Sequence, residues 1–261
     1  MSLQTYDHYL FAAAALIGTF AAAAAMLWLL RREPWHSRLE SYAGVVPPFI
    51  NVLGVLFGLT LAFLANDTWN AHDRAMAAID REGDALRSIA VLSTHLPPAE
   101  GDALRHAART YAQAALAEWP LLAQRENSPA ADRAADTLLE TVTSPAIVRA
   151  NSPAASQAET TLALTIRDAR ETRLALSQTH VNPLKWLGMA FLGFLTMVSV
   201  ALVHAGHWRA MAASVMIFAL ASAPTAVIVL IHGNPFQPPA AVTAAPLVDV
   251  LATNLAGPPV R

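Results

Sequence analysis

The chain has 261 residues, of which 55% are hydrophobic and only 14% charged, with a formal net charge of −2. That balance is too apolar for an ordinary soluble domain, and the slightly negative net charge argues against a nucleic-acid surface, so no nucleic-acid partner is expected. The absence of cysteine removes disulfides, thiolate metal sites and cysteine nucleophiles together.

The apolar excess is gathered into blocks at Tyr9–Leu30, Val45–Ala65, Leu184–Val203 and Met211–Ile231. Each is about the length needed to cross a hydrocarbon layer of roughly 30 Å at about 1.5 Å per residue. The expected fold is all-α, a polytopic membrane protein with four transmembrane helices and a helical extramembrane region inserted between the second and third. In residue ranges, 1–66 carries transmembrane helices 1 and 2, 67–182 the helical region, 183–232 transmembrane helices 3 and 4, and 233–261 a Pro-rich C-terminal tail.

The first block is Ala-rich, but no Lys or Arg precedes it, and it ends in Leu27-Trp28-Leu29-Leu30-Arg31-Arg32 instead of a small-residue cleavage site. It reads as a retained anchor helix. Arg31, Arg32 and Arg38, with Glu33-Pro34-Trp35 between them, form a basic loop, and Trp28 and Trp35 suit the interfacial belt. Pro47-Pro48 then starts or bends the second span. Gly54 and Gly58 form a small-xxx-small pair that lets another helix approach, and Asn51 and Thr60 are the polar exceptions, expected to face protein or a cavity.

From Asn66 the character turns polar, yet no Pro or Gly interrupts Leu59 to Glu82, so one rod is expected from Pro47 to Leu92. Trp69, Met76, Ile79 and Leu86 recur at helical spacing and are expected to form its buried stripe, with Asp73, Arg74, Asp80, Arg81, Glu82, Asp84 and Arg87 on the other faces. Pro97-Pro98 separates a helix at Ala99–Gln124, with Leu104, Tyr111, Ala115 and Trp119 on one side. Asn127-Ser128-Pro129 and Ser152-Pro153 are cap-plus-proline starts for helices to about Val142 and over Ala154–Gln178, the latter turning Leu162, Ile166, Ala169, Arg173 and Leu176 inward. Asn182-Pro183 marks re-entry, with Lys185 and Trp186 as interface anchors. The last two spans form a hairpin across His204–Arg209, and after a proline-rich stretch Pro246–Leu255 is expected to dock as a short helix.

The run Gly58-Leu59-Thr60-Leu61-Ala62-Phe63-Leu64-Ala65-Asn66-Asp67-Thr68-Trp69-Asn70, followed by Ala75, Ala78, Asp80-Arg81-Glu82 and Ala85-Leu86, resembles the second-helix signature of the bacterial bestrophin-like membrane family of unassigned function. The likeness extends to Glu118-Trp119-Pro120 in the insert and Pro235-Phe236 in the tail. More distantly, Phe63-x-x-Asn66 and Trp69 resemble bestrophins, which are pentameric anion channels lined by their second helix, although Leu64 and Ala65 leave no arginine between Phe63 and Asn66. The resemblance implies a chloride-conducting homo-oligomer, pentameric, in the bacterial inner (cytoplasmic) membrane, with the lipid bilayer, further copies of itself and inorganic ions as partners. It also implies a cytosolic helical region. The short-loop charges Arg31, Arg32, Arg38 and Arg209 instead put both short loops in the cytoplasm, and orientation stays open.

In such an assembly Val55, Leu59 and Phe63, four apart on a slowly drifting stripe, would form apolar constrictions that gate by dewetting. The same stripe is also what a membrane helix shows to lipid or to a neighbour. Asn66, Asp67 and Asp73, with Asp80 beyond, would ring the mouth, and carboxylate rings attract cations. Solvated pairs with Arg74 and Arg81 are the plainer reading of those acids. Two polar residues in a span cannot enclose a water path within one chain, so ions would pass on a symmetry axis between copies. A cation channel and a non-conducting scaffold or sensor remain as alternatives. An enzyme is not expected, because the histidines are scattered, no nucleophile elbow, phosphate loop or cofactor motif occurs, and no ionisable side chain lies inside the spans away from their ends. His204 and His207 are three apart at a helix end, where snorkelling accounts for them better than a metal.

Overall fold

A computed structural model of the chain describes residues 5–32 and 47–255. The basic loop through Pro34, Trp35 and Arg38 lies outside the described residues, as do Val45 and Val46. In order, the helices are α1 (Asp7–Leu30), α2 (Pro47–Leu92), a 3-10 turn (Ser93–His95), α3 (Pro98–Ala123), α4 (Pro129–Val142), α5 (Pro145–Ala150), α6 (Pro153–Ser177), α7 (Pro183–Val203), α8 (Trp208–Ile231) and α9 (Ala245–Thr253). No strand occurs among the described residues, so the fold is all-α as the periodicity requires. Four helices are long and apolar enough to cross a membrane: α1, α2, α7 and α8. The chain divides into two compact units, one of residues 1–70 and 180–233 and the other of 71–179 and 234–261. α2 carries the chain from the first to the second without a break.

In the first unit α1 packs along α8, and α8 along α7. Ala23 of α1 meets Met211, Val215 and Ala219 of α8 and Met197 and Ala201 of α7, so small side chains bring the helices close and methionines fill what remains. Leu64 and Ala65 of α2 pack on Met189 and Val229. The membrane ends are pinned by polar groups. The Arg31 guanidinium lies 4.1 Å above the Trp208 ring and that of Arg32 lies 3.7 Å above Trp28. The Asp7 carboxylate accepts a hydrogen bond from the Val181 N–H at 3.2 Å, and Asn182 Oδ1 caps α7 by accepting from Leu184 and Lys185. The turn between α7 and α8 is four residues, His204 to His207, and the His204 ring is engaged with the Val200 carbonyl.

In the second unit α3, α4 and α6 bundle around Leu104, Ala108, Tyr111, Ala115, Leu138 and Ile166, with α9 packed on α3 through Leu247 and Val250. Serine followed by proline starts three helices in succession: the Oγ atoms of Ser128, Ser144 and Ser152 accept from the N–H three residues on. The second of these, α5, is a helix of only six residues that apolar spacing does not reveal. The tail closes the unit by capping. Asn234 Nδ2 donates to the Ser177 carbonyl and Gln237 Nε2 to that of Ala123, both at 2.8 Å, and these are the last residues of α6 and α3, where helix carbonyls have no partner of their own.

The inward face of α2 here differs from the expected stripe. Ile79 and Leu86 are buried, but Trp69 is 59% exposed and Met76 41% exposed. The buried row is instead Ala71, Ala75, Ala78, Ile79, Glu82, Ala85, Leu86 and Ile89. At 3.6 residues per turn, Trp69 and Met76 point roughly 120–140° away from it. Alanine admits a close neighbour, and the row that packs sets four alanines among Ile79, Leu86 and Ile89.

Candidate functional site

Within the first unit, α2 is the span the chain leaves most bare. Only 6% of its apolar window is buried, against 11% in α1, 28% in α7 and 33% in α8. One side holds Phe57, Leu61, Leu64 and Ala65 against α7 and α8. On the other side Val55 is 60% exposed, Leu59 51% and Phe63 70%, so the three expected constriction residues share the uncovered face. Asn51 and Asn66 are exposed on that face too. Thr60 is half-buried, and its hydroxyl donates to the Leu56 carbonyl at 2.8 Å. Among the described residues no helix packs on Gly54 or Gly58, since a Cβ built on either meets no atom there within 4 Å.

Two of the mouth acids stand differently. The Asp67 carboxylate accepts a hydrogen bond from Lys185 Nζ at 2.9 Å, so its partner comes from α7 and not from Arg74 or Arg81. This is a surface pair of small energy, but it places a cation beside Asp67. Asp73 is exposed, and the Arg81 Nε–H donates to the Ala77 carbonyl at 3.1 Å.

The polar half of the same helix carries a buried charged cluster that apolar spacing does not reveal. Glu82 lies on the buried row, fully buried, although the sequence pattern places it on one of the rod's other faces. Its carboxylate accepts from Arg173 Nε at 3.1 Å, from Arg173 Nη2 at 3.0 Å and from the Tyr111 hydroxyl at 2.6 Å. Glu118, equally buried, takes Arg170 Nε at 3.1 Å and Nη2 at 2.6 Å, and accepts the Ser128 N–H at 2.8 Å. Arg170 Nη1 reaches out to Asp132 at 2.6 Å. Arg173 Nη1 has no hydrogen-bond partner and stands 3.6 Å from Glu118 Oε2, so the two pairs are electrostatically joined.

Burial, reinforced by the Glu82 carboxylate, pushes the Tyr111 hydroxyl well above its ordinary pKa. For Arg173 burial opposes the charge, yet Glu82 and the other acceptors outweigh it and the guanidinium is held charged more firmly than usual. Trp119 completes the cluster, edge-on to Phe236 with ring centres 5.7 Å apart and 5.2 Å from the Arg173 guanidinium. Glu118-Trp119-Pro120 and Pro235-Phe236 thus meet in one place. A carboxylate at position 82 in an otherwise apolar row, and Arg173 in an apolar row of α6, were the signals available.

A bestrophin-like domain model matches residues 17–247. Among curated proteins none matches in sequence. Solved structures do match in fold. A bacterial bestrophin homologue from Klebsiella pneumoniae is 14% identical, with 94% of this chain and 95% of that one covered at a TM-score of 0.62. A point variant of the Klebsiella homologue is 15% identical, with coverages of 94% and 96% and the same TM-score of 0.62. A structure described only as a membrane protein variant is 14% identical over 94% and 96% of the chains, at a TM-score of 0.65. The fold therefore matches known structures over nearly the full length of both chains, and with the domain model spanning 17–247 the chain belongs to the bestrophin-like family.

Proposed function

We propose that the protein is an ion channel of the bacterial inner membrane, assembled as a ring of identical chains, five by family resemblance, with α2 innermost and anions such as chloride as the conducted species. The observation that carries the reading is the uncovered apolar face of α2 through Val55, Leu59 and Phe63 in a member of the bestrophin-like family. Helical spans suit the inner membrane, since outer-membrane spans are closed β-barrels. The helical region of residues 67–182 stands outside the bilayer in this reading.

Gly54 and Gly58 lie roughly 60–100° around the helix from Val55 and roughly 100–140° from Leu59. A neighbouring copy can pack on the glycine flank while the stripe faces the axis. Rings of Val55, Leu59 and Phe63 then make a narrow apolar passage that conducts when wetted and closes when dry. Asn51 and Thr60 interrupt that apolar wall with polar groups. Asn66 supplies amide donors at the mouth, and the paired Lys185 offsets the charge of Asp67 there. Asp73 lies farther along the rod.

The test is flux and reversal potential in liposomes under asymmetric salt. Shrinking Val55, Leu59 or Phe63 to Ala raises flux, while truncating Leu184 or Leu187, exposed on α7, leaves it unchanged. Asp67→Asn removes a negative charge and releases Lys185, so anion permeation rises. The exposed carboxylates of Asp67 and Asp73 favour a second reading as a cation channel, in which the same substitution lowers permeation. Liposomes that stay tight with every variant overturn both and leave a scaffold.

A further inference from the structure

Within the four-span unit, α1, α7 and α8 leave a half-open slot of about 570 Å³ between them, floored by Phe57. The floor is fixed by close contact: the Phe57 ring comes within 2.9 Å of where a side chain on Gly193 would begin, and its centre is 5.4 Å from that of Phe218. The walls run lengthwise, from Pro183 to Met197 on α7, from Phe11 to Ala22 on α1 and from Phe218 to Leu230 on α8. At about 1.5 Å per residue these stretches measure roughly 16–21 Å, the depth of one leaflet of a layer about 30 Å thick or slightly more.

Spread over that length, about 570 Å³ makes a long, narrow slot, in keeping with one extended hydrocarbon chain lying along it. The lining does not call for a polar guest, because the hydroxyls of Thr19 and Ser222 are spent on the Ala15 and Phe218 carbonyls at 2.7 and 2.8 Å. An apolar cavity of this kind takes an apolar ligand in preference to water. We infer that the slot binds one acyl chain of a bilayer lipid, entering at the Pro183 and Trp186 end and lying parallel to the helices toward the bilayer centre. The inference needs only that these helices lie in a bilayer, so a protein that passes no ions would leave it untouched.

Bromine on an acyl chain quenches tryptophan at contact, and Trp186 lines the slot. The full chain, in lipid-free detergent micelles, is titrated with phosphatidylcholine brominated on its oleoyl chains, and the Trp186 emission is read as the difference between the protein and Trp186→Phe. The expected result is quenching that saturates at one lipid per chain and reverses with unbrominated lipid. Trp28, 56% exposed on α1, is quenched only in proportion to the micelle's lipid content. Gly18→Phe and Ala190→Phe plug the slot and abolish the saturable phase, and the first starts from a position where an added Cβ meets nothing within 4 Å. Quenching that does not saturate, or that survives both plugs, overturns the inference. So does a Trp186 left unquenched at every lipid ratio, the result if another copy covers the slot, and the reversal by plain lipid is read without any substitution.

Discussion

Glu82 and Arg173 are 91 positions apart in the chain and meet through two hydrogen bonds with neither side chain exposed. Removing one partner leaves the other as an uncompensated buried charge, which costs about 3–5 kcal/mol. Arg173→Met is therefore expected to destabilise the helical unit by that amount, read as a lower unfolding midpoint in detergent. Tyr111→Phe removes only a hydroxyl that donates to Glu82, and about 1–3 kcal/mol is expected. The two differ in their pH dependence as well. Because the Tyr111 pKa is raised in the folded protein, its contribution is intact below the ordinary value of 10.0 and is lost as pH climbs toward the folded value, since the unfolded chain gives up the proton first. Stability measured above about pH 10 should fall less steeply in Tyr111→Phe than in the parent protein. Arg173 was legible as an inward residue because it shares a row with Leu162, Ile166 and Ala169. Glu82 was not, because the alanines around it carry little apolar signal and the large Trp69 and Met76 drew the stripe to the wrong side.

Helix α2 presents two faces whose partners differ. The buried row is satisfied within this chain, whereas the glycine flank is not, although Gly54 and Gly58 read in sequence as a close-packing pair. Among the described residues an added side chain at Gly58 meets no atom within 4 Å, so Gly58→Leu should leave the chain folded. If copies pack there, the same substitution breaks the assembly, seen as a fall in detergent-solubilised mass with an unchanged helical spectrum. Val55→Ala, on the stripe, should leave the mass unchanged. Helix starts were the most legible elements, because Ser128-Pro129, Ser152-Pro153 and Asn182-Pro183 combine a side-chain acceptor with a residue that needs no hydrogen-bond partner. Ser144-Pro145 carries the same mark, but it opens a helix too short to show periodicity. Side-chain pairing was the least legible feature, since nothing local to Asp67 points to Lys185, 118 positions away.

At the scale of the molecule, the bare face of α2 is hard to reconcile with a lone chain in lipid, because Asn51 lies exposed among apolar side chains and a polar group in hydrocarbon costs free energy unless protein or water meets it. The particle in detergent should accordingly weigh several times the 27.8 kDa of one chain. A mass equal to one chain removes the pore. The buried cluster also fixes when the helical unit can be completed during synthesis. Translation delivers Glu82 first and Glu118 next, and both carboxylates must wait in water until Arg170 and Arg173 emerge. The open ends of α3 and α6 wait longer still, for Asn234 and Gln237, which follow α7 and α8 in the order of synthesis. The helical unit is thus assembled after translation of the spans, and a chain stalled before residue 234 would hold its charges together but leave those two helix ends uncapped.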